Sequence, residues 1–468
     1  MFDWYRPVPA SSLAFFRICF GVLMLFSTIR FISNGWVQDF YINPEFHFSY
    51  YGFGWLPYPS DALIYVMFGL MIVFSLLIVV GLLYRLSAIG FFLVFTYVEL
   101  LDKATYLNHY YFVTLVSLLM IFLPANRFFS LDARFGLCRA SETVNAWHLG
   151  IIKFQMGIVY FFAGVAKIGS DWLLEAQPLK MWLHSAHHWP VVGNLMKQDW
   201  LAYAFSWTGC LFDLTIIFFL LNRRTRNYAY AVVVFFHLIT WMLFPIGVFP
   251  WVMIVGTTIF LSSDLHKSVL DFLGNIFGFT NRVAGNRHED TKTRSSPISS
   301  RLSVFVAPKK KHLATTVICT YIIFQLVFPL RGFLYSGDMF WTESGYRFSW
   351  RVMLMEKAGS AYFYVRDPES GVETEVQADN HLTELQLKQM SYQPDMILQF
   401  ADYLVEVYKD TTLTVGRISM PIRNPEVRAE VYVSLNGRPS QLYVDKRHNL
   451  AQVENDMRPR YWLEEFAE

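Results

Sequence analysis

Lys167 is the residue of this chain best placed to do chemistry. It ends the run Tyr160-Phe-Phe-Ala-Gly-Val-Ala-Lys167, which continues Ile-Gly-Ser-Asp-Trp172. Ionisable side chains inside apolar segments are costly and mark functional sites by default. Tyr160, Ala163, Gly164 and Lys167 are spaced i, i+3, i+4, i+7, so a helix gathers them on one face. Small residues on that face let a helix or a ligand approach closely. An amine in such a setting is a candidate base; the alternative is a lysine snorkelling to the membrane interface. Asn108-His109 opens another apolar run. The imidazole could bond a ligand oxygen or move a proton, or Asn108 could simply cap a helix start.

Other polar residues carry weaker signals. Asp102-Lys103 reads as a surface ion pair or loop anchor. Asp213, His237 and Arg17 lie inside apolar runs and read as structural, Asp213 and His237 pairing with each other or with backbone groups. His184, His187 and His188 have a spacing that suits a metal. No carboxylate or cysteine completes a site, so they read as an interfacial loop and no metal is expected. The stretch Trp341-Thr-Glu-Ser-Gly-Tyr346-Arg-Phe-Ser-Trp350-Arg351 reads either as an aromatic anchor at the membrane surface or as a peptide-binding lip whose arginines attract carboxylates. The chain has no G-x-x-x-x-G-K-[ST], H-E-x-x-H or G-x-S-x-G, so phosphoryl transfer and the common hydrolase mechanisms lack support.

The elements that position these residues are membrane helices. Hydrophobic residues make up 54% of the chain and charged ones 16%, against about 25% charged in soluble domains. A formal net charge of +2 gives no reason to expect a nucleic-acid partner. Nine segments approach the roughly 20 apolar residues that a span needs: Ser12–Ile32, Ala62–Leu83, Leu86–Leu101, Asn108–Pro124, His148–Ile168, Leu201–Leu221, Tyr228–Phe244, Phe249–Leu261 and Leu313–Leu330. The first reads as a true span rather than a cleavable signal. Arg85, Arg127, Arg134, Arg139, Arg223, Arg224, Arg226 and Lys309–Lys311 fall in alternate loops, whereas Ser33–Asp61 and Pro245–Val248 have no Lys or Arg. Positive charge stays inside, so the N-terminus is expected in the cytoplasm and the C-terminus outside. Cys19, Cys138, Cys210 and Cys319 read as packing residues.

The expected fold is mainly α: a polytopic bundle of about nine spans with a small C-terminal α+β domain. Residues 1–277 form the first eight spans, 278–311 a flexible cytoplasmic linker, 312–336 the last span, and 337–468 the outer domain. Within that domain, Ala361–Arg366 and Glu373–Val376 read as a hairpin, His381–Lys409 as a helix broken near Pro394, and Arg428–Leu435 as a strand turning at Asn436-Gly437.

The run around Lys167 resembles the segment of the vitamin K-dependent γ-glutamyl carboxylases that holds their catalytic lysine. Gly81–Ser87, Leu100–His109, Leu243–Phe249, Trp341–Trp350 and Val431–Gly437 are similar to carboxylase segments too, in the same order along the chain. The membrane part resembles the horizontally transferred transmembrane domain. The resemblance implies that Lys167 deprotonates a reduced vitamin K hydroquinone, whose oxidation by O2 supplies a base strong enough for a glutamyl γ-proton. CO2 then adds to give γ-carboxyglutamate, and vitamin K epoxide is the second product. It also implies that His109, helped by Asn108, holds a quinone oxygen. Tyr160, Phe244, Phe249 and Tyr346 would line the quinone, and Trp341, Trp350, Arg351 and Asp338 would meet the peptide. The lipid quinol would enter from the membrane and the glutamate-containing peptide from the outer domain. No Asn-x-Ser/Thr sequon is present, which suggests a bacterial member; the reduced vitamin K would be menaquinol, the bacterial form, or phylloquinol.

The chain departs from the family pattern in places. Animal members extend further and carry a disulfide between the first outer loop and the soluble domain. Here Gly35–Pro59 has no cysteine, and Tyr403 stands where the partner would fall. Asp338 replaces a tyrosine and Arg351 an aspartate. The alternatives to a carboxylase are a quinol-dependent oxygenase acting on another substrate, and a non-enzymatic quinone- or lipid-binding protein or transporter.

Overall fold

A computed structural model describes residues 3–188, 190, 192–278, 308–415, 418–456 and 458–467. Helices cover all nine expected segments: α1 Ser11–Ser33, α2 Asp61–Val80, α3 Tyr84–Leu101, α4 Asn108–Phe122, α5 Ala146–Ala166, α6 Asp199–Leu221, α7 Arg226–Leu243, α8 Phe249–Thr257 with a short 3-10 extension to Phe260, and, after an additional α9 (Ser263–Ile276), α10 Pro308–Val327. Six of these segments are long and apolar enough to cross a membrane, so nine spans are not established. The reason is physical. The α4 helix has 15 residues, about 22 Å at 1.5 Å per residue, against a hydrocarbon core of about 30 Å. The α8 segment is shorter still, and α7 begins with Arg226-Asn227 and holds His237. The expected linker falls almost wholly outside the described residues, and α10 begins at Pro308.

Packing follows chain order. The α1–α2, α2–α3, α3–α4, α5–α6 and α7–α8 pairs touch, and α1 also packs on α8 and α9. The α2 helix leaves Val66, Leu70, Val73 and Leu76 exposed, the apolar outward face that a lipid-facing helix requires. A two-stranded ribbon, β1 (Pro7–Pro9) with β2 (Thr143–Asn145), ties the N-terminus to the start of α5. Arg17 is fully buried, and its guanidinium donates to the Phe129 carbonyl at 2.6 Å.

The C-terminal domain is a four-stranded antiparallel sheet of β3 (Lys357–Arg366), β4 (Glu373–Val376), β7 (Glu426–Leu435) and β8 (Gln441–Val444), in the order β4-β3-β7-β8. A separate hairpin, β5 (Thr411–Val415) with β6 (Ile418–Ile422), adjoins it. Strand alternation sends Val427, Ala429, Val431, Val433 and Leu435 inward. They meet Met396, Ile397, Phe400, Ala401 and Leu404 of α12 (Pro394–Tyr408), which follows α11 (Glu384–Met390). The break at Pro394 falls where expected, because proline suits a helix start. Asn436 and Gly437 both have positive φ, 50° and 80°, as a tight strand turn requires.

This domain is locked onto the membrane part. Phe48 is buried in its core, and Gln386 Nε2 donates to the Phe46 carbonyl at 2.7 Å and to Asp102 Oδ2 at 2.8 Å. Phe46 stacks on Tyr403 with ring centroids 4.5 Å apart. This contact joins the loop between α1 and α2 to α12 of the C-terminal domain. Asp102 and Lys103 do not pair with each other. Lys103 Nζ instead meets Asp395 Oδ2 at 2.7 Å, and Arg347 Nη1 meets the same oxygen at 2.7 Å. Burial pushes the Lys103 amine down to about 8, with Asp395 opposing. Burial alone would raise the Asp395 carboxyl, but Arg347 and Lys103 hold it well below its usual value. A depressed carboxyl contributes stability above its unfolded pKa and loses it as pH falls through the folded value. The melting temperature of the wild-type protein should therefore drop as pH falls below about 4. Asp395→Asn, which strands two cations, should cost about 3 kcal/mol at neutral pH and weaken that acid dependence, as measured by thermal unfolding in detergent across pH.

Candidate active site

Lys167 caps the C-terminal end of α5 and is 7% exposed. Its Nζ donates to Asp213 Oδ2 at 2.8 Å and to the Ala163 carbonyl at 3.3 Å. Asp213, on α6, is also buried. It therefore partners neither His237 nor the backbone; it holds the lysine. Gly164 makes this approach possible. A Cβ there would meet Leu214 N at 2.8 Å, so any side chain would push α6, and Asp213 with it, away from Lys167. The Trp172 ring centroid lies 5.3 Å from Nζ, and Trp172 Nε1 donates to the Ser206 carbonyl at 2.9 Å. The preceding Asp171 is clamped by the C-terminal domain: Arg438 reaches both carboxylate oxygens at 2.7 and 2.9 Å, and Asn436 donates at 2.6 Å. Hydrogen bonds from Arg438 hold the Asp171 carboxyl below its usual range.

Lys167 and Asp213 face a narrow cavity of about 80 Å³, walled by Tyr160, Trp172, Trp182, Phe205, Phe236, Phe244 and Phe249 among others. Of the four residues expected to line a quinone, Tyr160, Phe244 and Phe249 are here and Tyr346 is not. The Tyr160 hydroxyl is engaged by His237 Nε2 at 3.3 Å and Thr257 Oγ1 at 3.1 Å. His237 Nδ1 is buried without a hydrogen-bond partner, and the residue lines the cavity. A flat apolar ring with oxygen substituents fits this lining: aromatic walls, an amine–carboxylate pair and a histidine.

His109 and Asn108 line a second cavity of about 460 Å³ together with Tyr346 and Arg351. The two cavities share Ile246, Phe249, Val352 and Met353, and the Phe249 ring lies 6.0 Å from that of His109 and 5.9 Å from that of His237. Asn108 is the first residue of α4 and makes no cap bond; its Nδ2 donates to the Arg351 carbonyl at 2.9 Å. The other residues expected at the peptide lip are scattered. Trp341 is buried in the C-terminal core against Tyr443. Trp350 is buried in the helical core, stacked on Tyr111. Asp338 caps the helical turn Met339–Thr342 by accepting from Trp341 N at 2.8 Å. In the histidine loop, His187 and His188 bond to the His184 and Ser185 carbonyls.

The geometry is that of a multi-pass membrane protein with a buried lysine–carboxylate pair beneath a folded C-terminal domain. Residues 5–265 match the HTTM domain, and residues 310–468 match the vitamin K-dependent gamma-carboxylase lumenal domain. No solved structure matches the chain. The chain belongs to the vitamin K-dependent γ-glutamyl carboxylase family.

Removing one partner of a buried ion pair strands the other charge, whereas replacing both by apolar residues of similar size can be nearly neutral. Asp213→Leu should therefore lower stability by about 3 kcal/mol, and Lys167→Met/Asp213→Leu should recover most of that loss. Thermal unfolding of the two variants and the parent checks this. The double variant should nevertheless be inactive.

Proposed function

We propose that this chain carboxylates the γ-carbon of glutamyl residues in a peptide, using a reduced vitamin K hydroquinone, O2 and CO2. The observation that carries the reading is the Lys167–Asp213 pair at one side of a narrow aromatic cavity, in a chain whose two parts match the family's two domains. When bound, the hydroquinone supplies reducing electrons and, on oxidation by O2, a base far stronger than any side chain. The protein's own task is to take the first proton and to exclude water. An ammonium cannot accept a proton, so the pair acts as a unit. Transfer of one proton over the 2.8 Å from Nζ to Oδ2 leaves a neutral amine ready to receive the proton of a hydroquinone O–H. The pair then carries a net positive charge beside the oxygen that gave up its proton, which stabilises it in an apolar setting. His237, which lines the same cavity, would be the second polar contact for the ring. Trp172, Phe205, Phe244 and Phe249 keep the cavity dry and hold the ring in plane.

The test is turnover by the purified protein with chemically reduced vitamin K, a short glutamate-rich peptide and radiolabelled bicarbonate. Label in the peptide and quinone epoxide should appear together. Lys167→Ala should lower both by roughly 10²- to 10⁴-fold. Epoxide with no label, unaffected by the peptide, would instead make the protein a quinol oxygenase with a different substrate.

A further inference from the structure

The α9 helix presents three different faces. His266, Leu270 and Gly274 are buried, and at roughly 100° per residue they share a sector of about 80°. Leu265, Val269, Phe272 and Ile276 share a second sector of about 60°. Phe272 and Ile276 are 64% and 59% exposed, Leu265 is exposed and Val269 half-buried. Asp264, Lys267, Ser268, Asp271 and Asn275 fill the third sector, and all are exposed. Contacts with α1 fix where the helix lies. Ser11 Oγ donates to the Ser263 carbonyl at 3.0 Å. His266 Nε2 donates to the Thr258 carbonyl at 3.1 Å, and its Nδ1 lies 2.9 Å from the Ser12 hydroxyl. Thus α9 begins level with the start of α1. The 23 residues of α1 span about 34 Å at 1.5 Å per residue, enough to cross a core of about 30 Å. The far end of α1 leads to the loop that carries Phe48 into the C-terminal domain. The start of α9 therefore lies at the membrane boundary opposite that domain.

A helix that crosses lipid has no place for a row of exposed polar side chains, and a helix in water has none for a row of exposed Leu, Phe and Ile. A helix lying along the boundary suits both rows. We infer that α9 lies in the plane of the membrane, on the face opposite the C-terminal domain, with Leu265, Val269, Phe272 and Ile276 seated between the headgroups and acyl chains of phospholipids. The α1 helix on which it packs exposes Val22, Phe26 and Ile29 to the same lipid. The polar face has one lysine against two aspartates, so the apolar face rather than attraction to anionic headgroups supplies the binding. His266 ties this helix to the end of α8, and the adjoining Thr257 Oγ1 is 3.1 Å from the Tyr160 hydroxyl. A lipid-seated α9 thereby braces one wall of the Lys167 cavity. The inference stands apart from the carboxylase reading.

The experiment uses the full chain in phosphatidylcholine nanodiscs, with one cysteine introduced at a time and the environment-sensitive dye NBD attached to it. Parent protein treated with the dye gives the signal of the native cysteines, which is subtracted. Dye at Leu265→Cys, Phe272→Cys or Ile276→Cys should emit at shorter wavelength than dye at Lys267→Cys, Asp271→Cys or Asn275→Cys. The first set should also be quenched several-fold less by aqueous iodide, and more strongly by lipids with a nitroxide near the headgroup than by lipids with one at the chain end. All six positions are exposed, so the variants should melt at the temperature of the parent, which confirms that they are folded. Equal iodide quenching of the two sets would overturn the inference and leave the apolar face to a second protein chain. Strong quenching of both sets by the chain-end nitroxide would overturn it too, because α9 would then run through the lipid rather than along it.

Discussion

A charged pair buried between two membrane helices has to be assembled with care, and much of this fold can be read as the means of doing so. Desolvating an ammonium and a carboxylate costs several kcal/mol per ion. Their attraction offsets that only at short range with remaining hydrogen-bonding capacity satisfied. Lys167 and Asp213 meet at 2.8 Å, and the Ala163 carbonyl accepts another lysine proton. The contact with Asp213 depends on α5 and α6 lying close together, and that depends on Gly164. A pair of this kind is weak evidence of stability, since an apolar substitute of the same shape would serve as well. Its presence in an apolar bundle is better explained by chemistry.

The C-terminal domain takes part in the same arrangement. Asp171 lies four residues past Lys167, and the Asn436-Gly437 turn with Arg438 holds it from above. The next residue, Trp172, is fixed to α6 through the Ser206 carbonyl. The lysine's exit from α5 is thus set by the strand β7 as well as by the bundle. Residues 346–353, from the same domain, provide lining for both cavities. Neither compartment would be complete in a bundle lacking this domain, which gives a physical reason for two family domains in one chain.

Much of this was legible in the sequence. Apolar run lengths located the helices, alternation located β7, and the Lys167 motif pointed to the reactive amine. The limits are equally specific. Run length could not separate a full span from the 15-residue α4, because helix ends depend on tertiary contacts. The amphipathic α9 and the β5–β6 hairpin were missed. Asp213 was noticed as an ionisable residue in a span, but its partner lies 46 positions away on another helix, and no local pattern reports that. Trp341 and Trp350 share a motif only nine residues apart, yet one packs in the C-terminal core and the other in the bundle. Motif proximity is therefore a poor guide to a shared surface.

Phe249 shows how the two chambers are related. Its ring is within 6.0 Å of both His109 and His237, and it opens α8 immediately after the Pro245–Val248 turn. The ring therefore belongs to the lining of both chambers. In the smaller chamber it is one of the apolar groups around the Lys167–Asp213 pair, and apolar surroundings strengthen such an interaction. The two chambers thus share an apolar lining of Ile246, Phe249, Val352 and Met353, while each keeps its own polar groups: Lys167 and Asp213 in one, Asn108, His109 and Arg351 in the other.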